Sequence, residues 1–158
     1  MDHHPNNHDR SQNCGKDNTN NRLQKIKHLV QNKDKLISLF HMEIVELREG
    51  ASTVRMNVTP GHLNAAGVCH GGTMFSLADV AFALASNSHG TLAVALDMSI
   101  SFLKPVPAGQ TITATCTEKH LGKKIGVYEI VVETPDKTTV ALLKATAFRK
   151  PQPLLDFL

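Results

Sequence analysis

The sequence predicts an α+β fold in which one long central helix is wrapped by a curved antiparallel sheet. Three observations predict it. Residues 71–87 are built from Met, Phe, Leu, Val, Ala, Ser and Thr at helical period, with one acid. Four strand-like runs follow, separated by turn residues. A hairpin-like pair of runs precedes the helix. A helix that is apolar nearly all round is buried nearly all round. One sheet must cover it, and a second copy of the chain is expected to cover what the sheet leaves open.

The elements follow in order. Met1 to Asn21 is rich in Asn, Asp and His and has no Val, Ile, Leu or Phe. Such a stretch cannot bury enough apolar area to offset its ordering entropy. Residues 1–21 are therefore expected to form a disordered tail, with His3, His4 and His8 part of it rather than a metal site. Leu23, Ile26, Leu29 and Val30 recur at helical spacing, as do Leu36, Ile37 and Phe40. These predict one or two short amphipathic helices. Ile44 to Val58 reads as a hairpin turning at Glu49-Gly50, and Thr59-Pro60-Gly61 leads into a loop. Ser88-His89-Gly90 ends the long helix. Strands are expected near Leu92–Leu103, Thr111–His120, Gly126–Thr134 and Thr138–Arg149. Residues 22–150 then form one domain, and 151–158 a C-terminal extension in which Pro151-Gln152-Pro153 leaves the sheet.

The totals exclude several classes. A formal net charge of +3 in 158 residues gives no concentrated basic patch of the nucleic-acid-binding kind. No apolar run reaches the roughly 20 residues of a membrane span, and the N-terminus lacks a signal-peptide core. A cytoplasmic protein is expected. Cys14, Cys69 and Cys116 are an odd set without close pairing, which fits free thiols. No metal-ligand spacing is present, so no metal or redox cofactor is expected.

Asp79 is the only charge between His70 and Ala85. Burying a carboxylate is costly unless it is paired, and no Lys or Arg lies one turn away. It reads either as a carboxylate satisfied by backbone or solvent, or as a catalytic acid tuned by a partly apolar site. Gly71-Gly72 sits where loop becomes helix. The first N–H groups of a helix lack partners and carry partial positive charge. The pair reads as a tight turn or as an oxyanion site for a carbonyl. Eight residues of helix separate Gly71 and Asp79 by about 12 Å. One carbonyl can meet both only if they come from two chains whose helices pack antiparallel.

The segment Asn64-Ala65-Ala66-Gly67-Val68-Cys69-His70-Gly71-Gly72, then Phe75-Ser76-Leu77-Ala78-Asp79-Val80-Ala81-Phe82-Ala83, then Asn87-Ser88 resembles the hotdog-fold acyl-CoA thioesterases. It is most similar to the phenylacetate-degradation, or PaaI-like, branch. Ile100 to Pro105 and Gly109 resemble the family's next strand and turn. The resemblance spans about residues 34–150. It implies the hotdog fold and hydrolysis of an acyl-CoA to a free acid and CoA, with a small aromatic or medium-chain acyl group. Phenylacetyl-CoA and its hydroxylated forms lead. It further implies a homodimer with composite sites, assembled into a dimer of dimers.

The resemblance also implies roles. Asp79 is the nucleophile or the general base, and the Gly71 N–H polarises the thioester. Asn64 positions water or carboxylate, or caps a loop. His70 orients the thioester end, or hydrogen-bonds the helix start. Some relatives place a Ser or Thr on the strand after the helix; here that region reads Ala93-Val94-Ala95-Leu96. Phe102, Lys104, Lys123 and Lys124 are the expected CoA contacts, with Arg149 and Lys150 adding charge for its phosphates, unless these are solvated surface groups. A Cys69–His70 nucleophile is the weaker reading, because no third residue orients the histidine. Phe75 and Phe82 either line the acyl pocket or belong to the core. Two alternatives remain at this stage: a hotdog dehydratase or hydratase, and a non-catalytic acyl-CoA-binding protein.

Overall fold

A computed structural model describes residues 9–157, with side chains from residue 17 onward. The elements are α1 (Asp9–Lys33), α2 (Lys35–Leu39), β1 (Glu43–Arg48), β2 (Ala51–Asn57), α3 (Gly71–Asn87), β3 (Thr91–Phe102), β4 (Thr111–Leu121), β5 (Ile125–Glu133) and β6 (Thr139–Pro153). The strands form one antiparallel sheet in the order β1-β2-β4-β5-β6-β3. This is the expected hotdog arrangement. No described helix is long and apolar enough to cross a membrane.

Helix α3 lies against the sheet and buries Met74, Leu77, Val80, Phe82 and Leu84. It can lie close because both surfaces are small where they meet. Ala78, Ala81 and Ala85 on the helix and Ala114, Ala145 and Ala147 on the strands are all fully buried. Ile112, Ile130, Val132 and Tyr128 fill the space around them. Phe82 and Tyr128 meet edge to face at 5.4 Å, so Phe82 is core and does not line a pocket. The helix is tied to strand β2 where the Ser52 hydroxyl donates to the Ala81 carbonyl at 2.6 Å.

Two local clips close the far end of the helix. Ser88 Oγ donates to Ala85 O and accepts the Gly50 N–H, both at 2.7 Å. That joins the helix end to the β1–β2 turn, where Gly50 has φ +69°. Asn87 reaches across to Ala93 at the start of β3. Helix, hairpin and edge strand are therefore fixed to one another by Asn87-Ser88.

Two boundaries differ from the sequence expectation. Residues 1–8 of the expected tail lie outside the described residues, as do His3, His4 and His8. Residues 9–21 belong to helix α1 rather than to a disordered tail. Leu23 and Ile26 anchor that helix in the core, and extending a formed helix costs far less than nucleating one. The compositional argument survives in a weaker form, since no residue from 17 to 22 is buried. At the other end, Pro151-Gln152-Pro153 does not leave the sheet. β6 runs on to Pro153, which pairs with Thr91. β5 ends its pairing with β6 at Phe148, so beyond that point one side of β6 needs no donors and proline is tolerated there.

Shortening the chain to begin at Arg22 is expected to leave Tm unchanged, because none of residues 17–21 is buried. Ile26→Ala, by contrast, is expected to cost about 2–5 kcal/mol. Guanidinium unfolding of the two variants checks both.

Candidate active site

The N-terminus of α3 is capped so that one donor is left over. His70 is the N-cap residue, with φ −63° and ψ 136°. Its ring Nδ1 accepts the Gly72 N–H at 3.0 Å. Its carbonyl accepts from Thr73 at 2.9 Å and Met74 at 3.3 Å. Of the four N–H groups that open a helix, three are satisfied. The Gly71 N–H has no partner among the described residues. The bond to Gly72 also places the ring proton of neutral His70 on Nε2, where it is free to donate.

At Gly71 a side chain would displace the ring of Phe102. A Cβ there would sit 2.8 Å from Cζ of Phe102, whose ring lies over it. Asn64 Oδ1 accepts the N–H groups of Ala66 (2.9 Å) and Val68 (3.4 Å), folding the loop before the helix. Gly67 in that loop has φ +78°. The Asn64 oxygen is thus the loop cap, and its amide nitrogen has no protein acceptor among the described residues. Asn64, Gly71, Met74, Phe102 and Lys104 line one cavity of about 270 Å³.

Cys69 lines the same cavity but is buried, and burial pushes its thiol pKa up. A neutral thiol beside a ring already engaged as a helix cap is no nucleophile.

Asp79 does not reach that cavity. It lies two turns along α3, on a stripe the sheet leaves uncovered: Gly72, Phe75, Ser76, Asp79 and Ala83 are exposed or half-buried. Burial first, and then the negative charge of Asp34, hold its carboxyl above the ordinary range. No hydrogen bond or cation lowers it. Asp34 is the N-cap of α2, accepting from Leu36 N–H at 2.8 Å. Its influence on Asp79 has no sequence signal, since 45 residues separate the two.

The expected CoA contacts split into two groups. Phe102 and Lys104 border the Asn64–Gly71 cavity. Lys123 and Lys124 lie at the other end of the molecule. With Arg149, Lys150 and the ring of Phe148 they line a cavity of about 560 Å³. Arg149 donates through Nη1 to Gly122 O at 2.9 Å, while its buried Nε has no partner. Thr91, at the start of β3, borders this cavity, and Phe102 ends that strand. The two cavities are therefore about 35 Å apart along β3.

Known proteins match this chain in sequence and in fold. Residues 66–141 match the thioesterase superfamily. The acyl-coenzyme A thioesterase PaaI of Escherichia coli K12 is 43% identical over 122 residues, covering 77% of this chain and 87% of that one. The structure of the E. coli PaaI protein from the phenylacetic acid degradation operon superposes with a TM-score of 0.81 at 39% identity, over 84% of this chain and 96% of that one. A hypothetical thioesterase protein of Streptococcus pneumoniae TIGR4, solved with coenzyme A, superposes with a TM-score of 0.71 at 30% identity, over 74% of this chain and 92% of that one.

Asp79→Asn is expected to lower turnover by at least about a hundredfold and to raise Tm at neutral pH. The sign follows from the raised pKa. The folded chain holds the Asp79 proton more tightly than the unfolded chain, so stability is lost as pH rises through the carboxylate range. A neutral amide escapes that loss, and the Tm difference should vanish below about pH 4. Thermal unfolding from pH 3 to 8, read beside activity, checks both.

Proposed function

The chain belongs to the thioesterase superfamily and is an acyl-CoA thioesterase of the PaaI-like branch; we propose that its acyl groups are small and aromatic, phenylacetyl or hydroxyphenylacetyl, or of medium chain length. The single observation that carries the site assignment is that one helix holds, among the described residues, a Gly71 N–H without a partner at its start and an unpaired, half-buried Asp79 two turns further on. The N–H polarises the thioester carbonyl and takes up the charge of the tetrahedral intermediate. As base, ionised Asp79 takes a proton from the water that attacks the carbonyl carbon, and collapse expels CoA, whose thiolate takes up that proton, leaving the acid. As nucleophile, Asp79 attacks the carbonyl carbon itself, collapse expels the CoA thiolate and leaves an acyl–Asp79 anhydride, and water then cleaves that anhydride to the acid and the free carboxylate. The Asn64 amide nitrogen and His70 Nε2 are the remaining donors for the water and the thioester. No metal or redox cofactor enters.

The helix rise keeps Gly71 and Asp79 of one chain about 12 Å apart. The site is therefore composite in our reading, with Asp79 supplied by a second copy whose α3 packs antiparallel across the open stripe. Strand β3 supports this, as an edge strand with Val94, Leu96 and Phe102 exposed. Antiparallel pairing of two β3 edges sets the Thr91 end of one copy beside the Phe102 end of the other. The four-cation cavity of the partner then faces the Asn64–Gly71 cavity. Thioester and nucleotide ends of one CoA would span the two, with Lys104 between them. Two such dimers form the assembly. Phe75, one turn before Asp79 on the open stripe, backs the acyl group, and a ring there favours a flat aromatic acyl group.

A panel of acyl-CoA esters assayed by thiol release tests the reading. Phenylacetyl-type esters are expected to show higher kcat/KM than long-chain esters, and a preference for long chains would contradict it. Lys123→Ala with Lys124→Ala is expected to raise KM for CoA esters about tenfold with kcat unchanged. The same pair should leave pantetheine thioesters, which lack the nucleotide, unaffected.

A further inference from the structure

Two carboxamide side chains bond backbone groups at opposite edges of the sheet, Gln31 those of two residues and Asn87 those of one. On β1, Gln31 of α1 accepts the Ile44 N–H and donates to the Met42 carbonyl, both at 3.2 Å. Lys27 adds a bond to Val45 O at 3.4 Å, where the ladder is also bulged. This edge is closed to any further strand. On β3, Asn87 Oδ1 accepts the Ala93 N–H at 2.8 Å, and Nδ2 donates to the Ala93 carbonyl at 3.1 Å. Both bonds go to one residue, as a neighbouring strand would make them. The opposite residue, Arg149, sends its N–H to Lys124 O instead. The Ala93 N–H and C=O therefore point outward, and Asn87 occupies them.

Beyond Ala93 no described side chain closes this edge. The Leu103 N–H bonds Val140 O. By alternation, Phe102, Ile100 and Met98 turn their N–H and C=O groups away from β6. Ala95 does so on the near side of the bulge between Ala95 and Asp97. Along β3 the sheet can be extended over Ala95–Phe102.

We propose that Asn87 is the register stop for the ladder that two copies of this chain form along β3. The proposal rests on the composite-site reading above. A two-fold ladder is self-complementary: residue i faces j, and j faces i. Sliding it toward the strand start would require the outward groups of Ala93. With Asn87 seated on them, the two-fold axis is confined to the stretch Ala95–Phe102. A slip of two residues displaces one copy by about 7 Å, over half the spacing between Gly71 and Asp79. Asn87 is thus a positioning residue. It touches no substrate, yet it sets where the partner's carboxylate arrives.

The test uses the full chain with Cys14→Ser and a nitroxide on Ser99→Cys, since Cys69 and Cys116 are buried. Pulsed EPR reads the label-to-label distance across the dimer. With Asn87 intact, one distance is expected. In Asn87→Leu, further distances displaced by about 7 Å are expected, with kcat down at least about tenfold and KM unchanged. Asn87→Ser, too short to span both groups, should show the same split if the leucine variant fails to fold. One unchanged distance with unchanged kcat in a folded variant would overturn the register role, as would a variant that becomes monomeric. Absence of any inter-label distance with Asn87 intact would instead sink the dimer reading itself.

Discussion

Helix α3 carries apolar side chains on nearly every side and a single carboxylate, and one sheet encloses only part of it. Most of the architecture answers that constraint. The strands present alanines beneath the helix so that it can lie close. Ser52, Asn87 and Ser88 hold it by polar contacts to its middle and its end. What stays open is a narrow stripe of small residues with Phe75 and Asp79 on it. A second helix can cover such a stripe, and covering it would desolvate Asp79 further. Assembly and pKa tuning are in that case one event, because the contact that buries the stripe also strips water from the carboxylate.

The capping of α3 shows how a helix start becomes selective. An uncapped N-terminus offers four donors and no preference among them. The ring nitrogen and carbonyl of His70 take two of them, and the N–H of His70 itself goes to His62 O. The remaining N–H belongs to the residue that lacks a side chain, under the ring of Phe102. In the proposed site a substrate carbonyl would meet one donor in a fixed direction, and Asn64 stands at the same cavity with its oxygen already committed to the loop.

Much of this was legible in the sequence because it rests on periodicity. The switch from loop to helix at Gly71, the Glu49-Gly50 hairpin and the four later strands all appear where pattern and turn chemistry put them. The isolated charge of Asp79 also stood out, since a lone acid among apolar residues needs no structure to be noticed. What was not legible depends on tertiary context. The start of α1 at Asp9 follows from an anchor at Leu23 and Ile26, not from its own polar residues. The continuation of β6 through Pro151 and Pro153 depends on where β5 stops. The cations proposed for CoA form one group by charge alone in the sequence, but a strand of twelve residues separates Lys104 from Lys123 and Lys124. Asn87 read only as part of a motif, and its grip on Ala93 needs the strand to fold back along the helix.

The central claim is that one active site takes Gly71 from one copy and Asp79 from another, and subunit mixing tests it most directly. Gly71→Pro removes the free N–H at a helix position that tolerates proline, and the extended conformation of His70 suits the residue before it. The contact to be relieved is the tip of the Phe102 ring, which is half exposed. Asp79→Asn removes the carboxylate. Each variant alone is expected to be inactive. Refolded together in equal amounts, half the dimers are mixed, and each mixed dimer holds one site with both lesions and one with neither. Activity should return to about a quarter of the original level. A folded, fully exchanged mixture that stays inactive would contradict the shared site and place both groups within one chain.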